Sequence, residues 1–247
     1  MTAGGRVSRR RSRAEACGRR LRLQRKPAHG EHKLLRHRGV VAGGHVFHAQ
    51  VAAVTRAGEN SEVRFNLDTE LQADPALPVT LLLSIFKFDR MEWAIEKLTE
   101  LGAERIVPVI ARRSEKHLVQ AAAGRAERWR RIAVEASKQA RRSDVLQVAD
   151  PLPLKDALRR DEKAIRLVLA EQERSTTLHH VVSETLAANG DETPALCMAI
   201  GPEGGWTAEE EAVFDVENWK PVSLGPRILR VETAAISAMA IAAALLE

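Results

Sequence analysis
Two short segments carry the residues whose types and spacing suit chemistry on a small ligand. They are Ala199-Ile200-Gly201-Pro202-Glu203-Gly204-Gly205-Trp206 and Leu224-Gly225-Pro226-Arg227-Ile228-Leu229-Arg230-Val231-Glu232-Thr233-Ala234. Each follows an apolar run that reads as a buried strand, and each leads into a helix. Gly and Pro at a strand end occupy the place where an open α/β sheet holds its ligand. The first segment offers bare backbone N–H and C=O groups that suit a flat heterocycle or a ribose edge. The second adds apolar side chains able to flank a base, then Arg230 and Glu232. Two such loops suggest main chain closing on one small molecule. Taken singly, each feature has a plainer reading: a tight strand-to-helix turn, a surface ion pair, and for Glu203 a carboxylate favoured by the start of the next helix.

The elements that must position these loops are legible as alternating strands and helices. Strand-like runs are Val79–Ile85, Arg105–Ala111, Ile165–Ala170, Ala195–Ile200 and Pro221–Leu224. Helical patterns cover 89–101, 124–141, 175–188, 207–217 and 232–246. This alternation predicts an α/β fold with a mainly parallel sheet covered on both faces. Capping-box patterns at Asp89–Glu92 and Thr207–Glu210 predict two helix starts. The last helix carries almost no polar face, so it is expected to be buried in the subunit core or against a second copy. Upstream, residues 44–68 alternate as a β-hairpin around a turn at Ala57–Asn60, and Asp74–Pro78 reads as a linker.

Composition narrows the class. The 247 residues are 45% hydrophobic and 29% charged, as in ordinary globular chains. No apolar run reaches the ~18–20 residues of a membrane span. Two cysteines, Cys17 and Cys197, provide neither a disulfide framework nor metal spacing, which fits a reducing compartment, and Cys197 reads as a small core residue. A phosphate-binding G-x-x-x-x-G-K-[ST] loop, a G-x-G-x-x-G after the first strand, zinc-type spacing and a G-x-S-x-G elbow are all missing. The net charge of +5 conceals an asymmetry: residues 1–40 hold 13 Lys/Arg against 2 Asp/Glu, while the remainder is acidic on balance.

Taken together, the two loops resemble the signature loops of the SPOUT class of RNA methyltransferases, and most of all the RsmE family, which methylates N3 of a uridine in 16S ribosomal RNA. The same pattern appears in Lys87-Phe88-Asp89-Arg90-Met91-Glu92-Trp93 with Lys97 and Glu100-Leu101-Gly102, in Arg112-Arg113-Ser114, in Arg128-Trp129 and in Glu135–Arg142. It runs in order from about Gly44 to Glu247. The resemblance implies a parallel sheet with a C-terminal deep trefoil knot, a departure from the usual absence of knots. It also implies a small N-terminal β domain of the PUA type, incomplete in this chain. The expected division is a basic segment over 1–43, a PUA-like remnant over 44–74 and a methyltransferase domain over 75–247.

The resemblance further implies S-adenosylmethionine as cofactor. Its expected contacts are Leu169, Ala170 and Glu171 in one loop, Ile200, Gly201, Pro202, Gly204 and Gly205 in the next, and Leu224, Gly225, Ile228, Leu229 and Arg230 in the third. Arg230 is assigned a cationic role, with Glu232 orienting it or acting as base and Glu203 as a competing base. RNA contacts are expected from Arg90, Lys97, Arg112, Arg113, Arg141 and Arg142. The implied partners are 16S rRNA in the small ribosomal subunit and a second copy docked through the knot region, in the cytoplasm, with no membrane or metal partner. Other readings are methylation at a ribose 2′-O or on tRNA, or a non-catalytic RNA-binding or assembly protein. Residues 1–43 lack the aromatic strand and the His-His-Leu helix of the family. A shifted reading frame is favoured there over a basic RNA-binding arm, with a transit peptide third.

Overall fold
The computed structural model describes residues 38–42, 45–57, 60–71, 75–159, 163–190 and 192–247. The basic residues 1–37 and the turn residues Gly58 and Glu59 lie outside them. The chain divides into two units, Met1–Ala73 and Asp74–Glu247.

In the first unit β1 (Arg38–Ala42), β2 (His45–Ala57) and β3 (Asn60–Leu71) form an antiparallel sheet in the order β1-β2-β3. The expected hairpin is β2 and β3, with register shifts between Phe47 and Ala49 and between Val51 and Ala53. Strand β1 falls inside the segment read as atypical; it pairs with β2 from Arg38↔Ala49 to Ala42↔His45.

The second unit is built on β4 (Leu77–Ser84), β5 (Ala103–Ile110), β6 (Gln147–Val148), β7 (Leu152–Pro153), β8 (Ile165–Leu169), β9 (Leu196–Ile200) and β10 (Lys220–Val222). Its helices are α1 (Phe88–Glu100), α2 (Lys116–Gln139), α3 (Leu154–Leu158), α4 (Leu178–Asn189), α5 (Ala208–Val216) and α6 (Val231–Leu246). All its strands pair in parallel in the order β10-β8-β9-β4-β5-β6, with β7 also beside β5. Side-chain alternation sends Leu81, Leu83, Met198 and Ile200 to one face, under α1, α2, α4 and α6. Leu82, Val107, Cys197 and Ala199 go to the other, under α3 and α5. Each of the five predicted strand runs overlaps one parallel strand. Strand β4 starts two residues inside the expected linker.

Two expectations are corrected, at the starts of α1 and α2. Helix α1 begins at Phe88 with Lys87 as a side-chain-free cap, so Asp89 sits within the first turn and contributes through the helix dipole instead of capping. The Thr207–Glu210 box is present in both directions. Helix α2 starts at Lys116, well before residue 124: Ala121-Ala122-Ala123 favour helix, and Gly124 sits within it in open space. Helix α6 buries one stripe (Val231, Ala235, Ala238, Met239, Ala242) on α1, α4 and β4, while Thr233, Ala240 and Ala244 stay exposed. Small residues on the buried stripe allow that close approach.

Trp129 anchors the α1–α2 pair. It is fully buried and meets Phe88 edge-on with ring centroids 5.9 Å apart. Trp129→Ala is expected to lower stability by about 3–5 kcal/mol, measured as a shift in the urea unfolding midpoint.

Candidate functional site
The C-terminal ends of β8, β9 and β10 open into one cavity of about 530 Å³, within the usual range for small-molecule sites. Its walls are the loops 169–174, 200–206 and 222–231, with Lys87 and Arg90 from the start of α1 and Arg113 from the β5–α2 loop. Every residue expected to touch the cofactor lines it, as do Glu203 and Arg230.

Local geometry explains the glycines. A Cβ on Gly201 would stand 3.2 Å from the Trp206 ring, and one on Gly204 would stand 3.2 Å from Arg113 Cδ. Gly205 and Gly225 adopt φ of +70° and +113°, values that L side chains rarely take. The 200–206 loop is held from outside. Arg113 Nη1 donates to the carbonyls of Gly204 (2.6 Å) and Trp206 (3.0 Å). Buried Glu210 accepts from the backbone N–H of Arg112 at 2.8 Å and of Thr207 at 3.0 Å. Behind the loop, Trp206, Phe214 and Trp219 stack edge to face with centroids 4.8 and 5.6 Å apart.

The other two loops are tied to each other. Leu178 N–H donates to Ser223 O, Ser223 N–H to Thr176 O, and Ala170 N–H to Val222 O. The Ser223 hydroxyl and the backbone of Gly225 also exchange hydrogen bonds. Glu173 pins the 169–177 turn by accepting from Ser175 N–H and Oγ–H and from Thr176 N–H. The Ser175 hydroxyl, followed by the two backbone amides, holds the Glu173 carboxyl down at about 2 against an ordinary 4.5.

The charged candidates are arranged differently from the sequence expectation. Arg230 is exposed at the N-cap of α6 and makes no ion pair with Glu232; residues two apart on a helix start do not face each other. Glu232 instead approaches Arg90, with Oε1 3.7 Å from its Nε. Glu232 is buried, and its Oε2 has no hydrogen-bond partner. Arg90 Nη1 also donates to Glu203 Oε1 at 3.1 Å. Arg90 thus stands between both candidate carboxylates. Glu203 lines the cavity, whereas Glu232 sits behind Arg90.

The remaining residues expected at RNA divide. Arg90 and Arg113 belong to the cavity, and Arg112 is exposed beside it. Lys97 pairs with Glu100 and Glu96, whose carboxylates raise its pKa in that order. Arg141, exposed with φ +58°, terminates α2. Arg142 is largely buried, donating to Thr99 O and both Asp144 oxygens, so its donors are already engaged within the fold. Sequence reasoning missed Lys87, Trp206 and Ser223 as cavity residues. The signal for Lys87 was available, since it follows β4 at the same edge of the sheet. Among the described residues no cluster of His, Cys, Asp and Glu could hold a metal.

Fold and site define a parallel α/β protein with a cavity walled by main-chain loops at the strand ends. Residues 73–243 match the family model of the RNA methyltransferase domain, and the chain belongs to that family. It is 34% identical over 166 residues to the ribosomal RNA small subunit methyltransferase E of Bacillus subtilis, covering 66% of this chain and 65% of that one. The same-named protein of Aquifex aeolicus is 28% identical, covering 82% of this chain and 83% of that one. The chain thus spans just under two thirds of the Bacillus relative, and 56% of a Synechocystis relative of the same name. Among solved structures, the Neisseria gonorrhoeae ribosomal RNA small subunit methyltransferase E bound to S-adenosylmethionine aligns at a TM-score of 0.65 and 28% identity, covering 83% and 81% of the two chains. A candidate methyltransferase from Legionella pneumophila with bound S-adenosylmethionine aligns at 0.71 and 28%, covering 92% of each.

Two outcomes are expected from the loop geometry. Arg113→Ala removes the charged donor to two carbonyls and should cost about 1–2 kcal/mol, read by urea unfolding, with a shift in the emission of the neighbouring Trp206. Because the Glu173 carboxyl lies lower in the folded state, it stabilises the fold fully above pH 4.5 and loses that contribution as pH falls towards 2. The stability gap between the native chain and Glu173→Ala should therefore be present at pH 7 and shrink through that window.

Proposed function
We propose that the chain is an S-adenosylmethionine-dependent methyltransferase acting on N3 of a uridine in 16S rRNA of the small ribosomal subunit. The carrying observation is the cavity formed by the three strand-end loops, in a chain of the RNA methyltransferase family. The names and bound cofactor of its relatives in Neisseria and Bacillus point the same way. The residues fit the cofactor: Gly201 and Gly204, packed closely on Trp206 and Arg113, present bare main chain to the cavity, and Ile200, Leu224 and Leu229 supply apolar walls.

When bound, S-adenosylmethionine supplies a methyl group already activated for displacement. The chain's own tasks are to align the uridine nitrogen and to manage the imide proton. Glu203, a half-exposed carboxylate in the cavity wall, is placed to accept that proton. Arg230, exposed on the rim, is placed to face the developing negative charge or the RNA backbone. Arg112 and Arg141 offer exposed cations for phosphate.

The exposed, polar-poor side of α6 supports a homodimer packed through this region. The return of the chain from edge strand β10 to α6, which packs on α1 and α4 near the middle of the sheet, suits a C-terminal trefoil knot. The antiparallel β1–β3 sheet is read as part of a PUA-like domain. No described helix is long and apolar enough to cross a membrane, and the proposed site of action is the cytoplasm.

Calorimetric titration with S-adenosylmethionine, followed by mass spectrometry of 16S rRNA from a strain lacking the gene, tests the proposal. Saturable binding and restoration of one methylated uridine by this chain are expected. A chain that binds no cofactor and restores no methyl group would refute it. Arg230→Ala and Glu203→Gln should each lower turnover at saturating cofactor about 10²-fold or more.

A further inference from the structure
We propose that Arg90 and Glu232 act as one unit, in which Glu232 is a positioning residue that aims the Arg90 guanidinium into the cavity and Arg90 is the cation that meets an oxygen of the RNA substrate. This rests on the proposed function and adds a residue pair to it.

Glu232 is unusual among the carboxylates here. Its side chain is only 8% exposed, Oε2 has no hydrogen-bond partner, and the Nε of Arg90 is 3.7 Å from Oε1. A buried carboxylate left short of donors is costly and adds little to stability by itself. Its position in the first turn of α6 offsets part of that cost through the helix dipole. Its reach is local: Oε1 stands as an ion-pair partner 3.7 Å from the inner edge of a guanidinium that begins in the first turn of α1.

Arg90 is thereby oriented. Its side chain is 30% exposed and lines the cavity, with the Nε edge towards Glu232 and Nη1 on Glu203. Glu203 is the more exposed partner, at 47%, and it stands on a loop. An RNA oxygen, either a base carbonyl or a phosphate, can replace Glu203 on Nη1 while Glu232 keeps Nε in place. The exchange frees the Glu203 carboxylate for the imide proton as the substrate arrives. Arg230 has no comparable anchor, since no ion pair or side-chain hydrogen bond holds its guanidinium among the described residues.

Two double-mutant cycles test the pair, on Arg90→Lys, Glu232→Gln and the double variant. The first reads single-turnover methylation of small-subunit rRNA at saturating S-adenosylmethionine, with cofactor affinity by calorimetry. Each single change should slow methylation at least about tenfold, and the double change should be within about threefold of the slower single. Cofactor affinity should stay within about threefold of the native chain. The second cycle reads urea unfolding of the cofactor-free chain, where a favourable coupling between the two residues is expected. Losses that multiply, or a collapse of cofactor affinity, in a chain whose native form is active would overturn the pair alone. Absence of coupling in the unfolding cycle would overturn it whatever the activity. A native chain that methylates no rRNA would overturn the functional reading and the role of Arg90 with it. Synthetic RNA with the phosphate flanking the target replaced by methylphosphonate separates the two oxygen sources: if the phosphate is the partner, only that substitution removes the sensitivity to Arg90→Lys.

Discussion

A single buried carboxylate holds the cavity wall to the rest of the sheet. Glu210 accepts one hydrogen bond from the β5–α2 loop, at Arg112 N–H, and one from the β9–α5 loop, at Thr207 N–H. The same residue closes the capping box of α5. Without it the 200–206 segment, with three glycines and a φ of +70° at Gly205, would have many conformations to choose from. With it, and with Arg113 on the carbonyls of Gly204 and Trp206, the segment has one. The sheet brings these loops to one edge, but side chains from a neighbouring strand connection decide their shape.

The same edge collects helix starts. Helices α1, α5 and α6 all begin there, and each places an acidic side chain in its first turn. Negative charge is favoured at such ends. Glu232, at one of these starts, shares the single guanidinium of Arg90 with Glu203 from the β9–α5 loop. The cavity lining nevertheless stays cationic on balance, with Lys87, Arg90, Arg113, Arg174, Arg227 and Arg230 against Glu171, Glu203 and Glu211. Cations for a polyanionic partner lie at its rim, where Arg112 and Arg230 are exposed.

Much of this was legible in the sequence. The five parallel strands followed from apolar runs, and the cavity loops from Gly and Pro at two strand ends. The Thr207–Glu210 box was readable because its signal is local. The failures came where tertiary contacts decide. Nothing in the spacing of Arg90, Glu203 and Glu232 along the chain indicates that they meet, whereas Arg230 and Glu232, two apart in sequence, form no ion pair. Arg142 looked like one cation in a basic run, yet Asp144 and the Thr99 carbonyl take up its donors. The strands β6 and β7 and the helix α3 are too short to leave a period. Strand β1 was hidden by the arginine-rich composition around it.

The packing of α6 bears on how the site comes into being. This helix lies against α1 and β4, yet residues 101–230 separate it from α1 in the chain. Contacts of such long sequence range form slowly, because the intervening loop must close before they offer any gain. The cavity draws walls from both ends of that interval, so no fragment of the nascent chain contains it. Ligand binding competence should therefore appear in one late kinetic phase, after most secondary structure has formed.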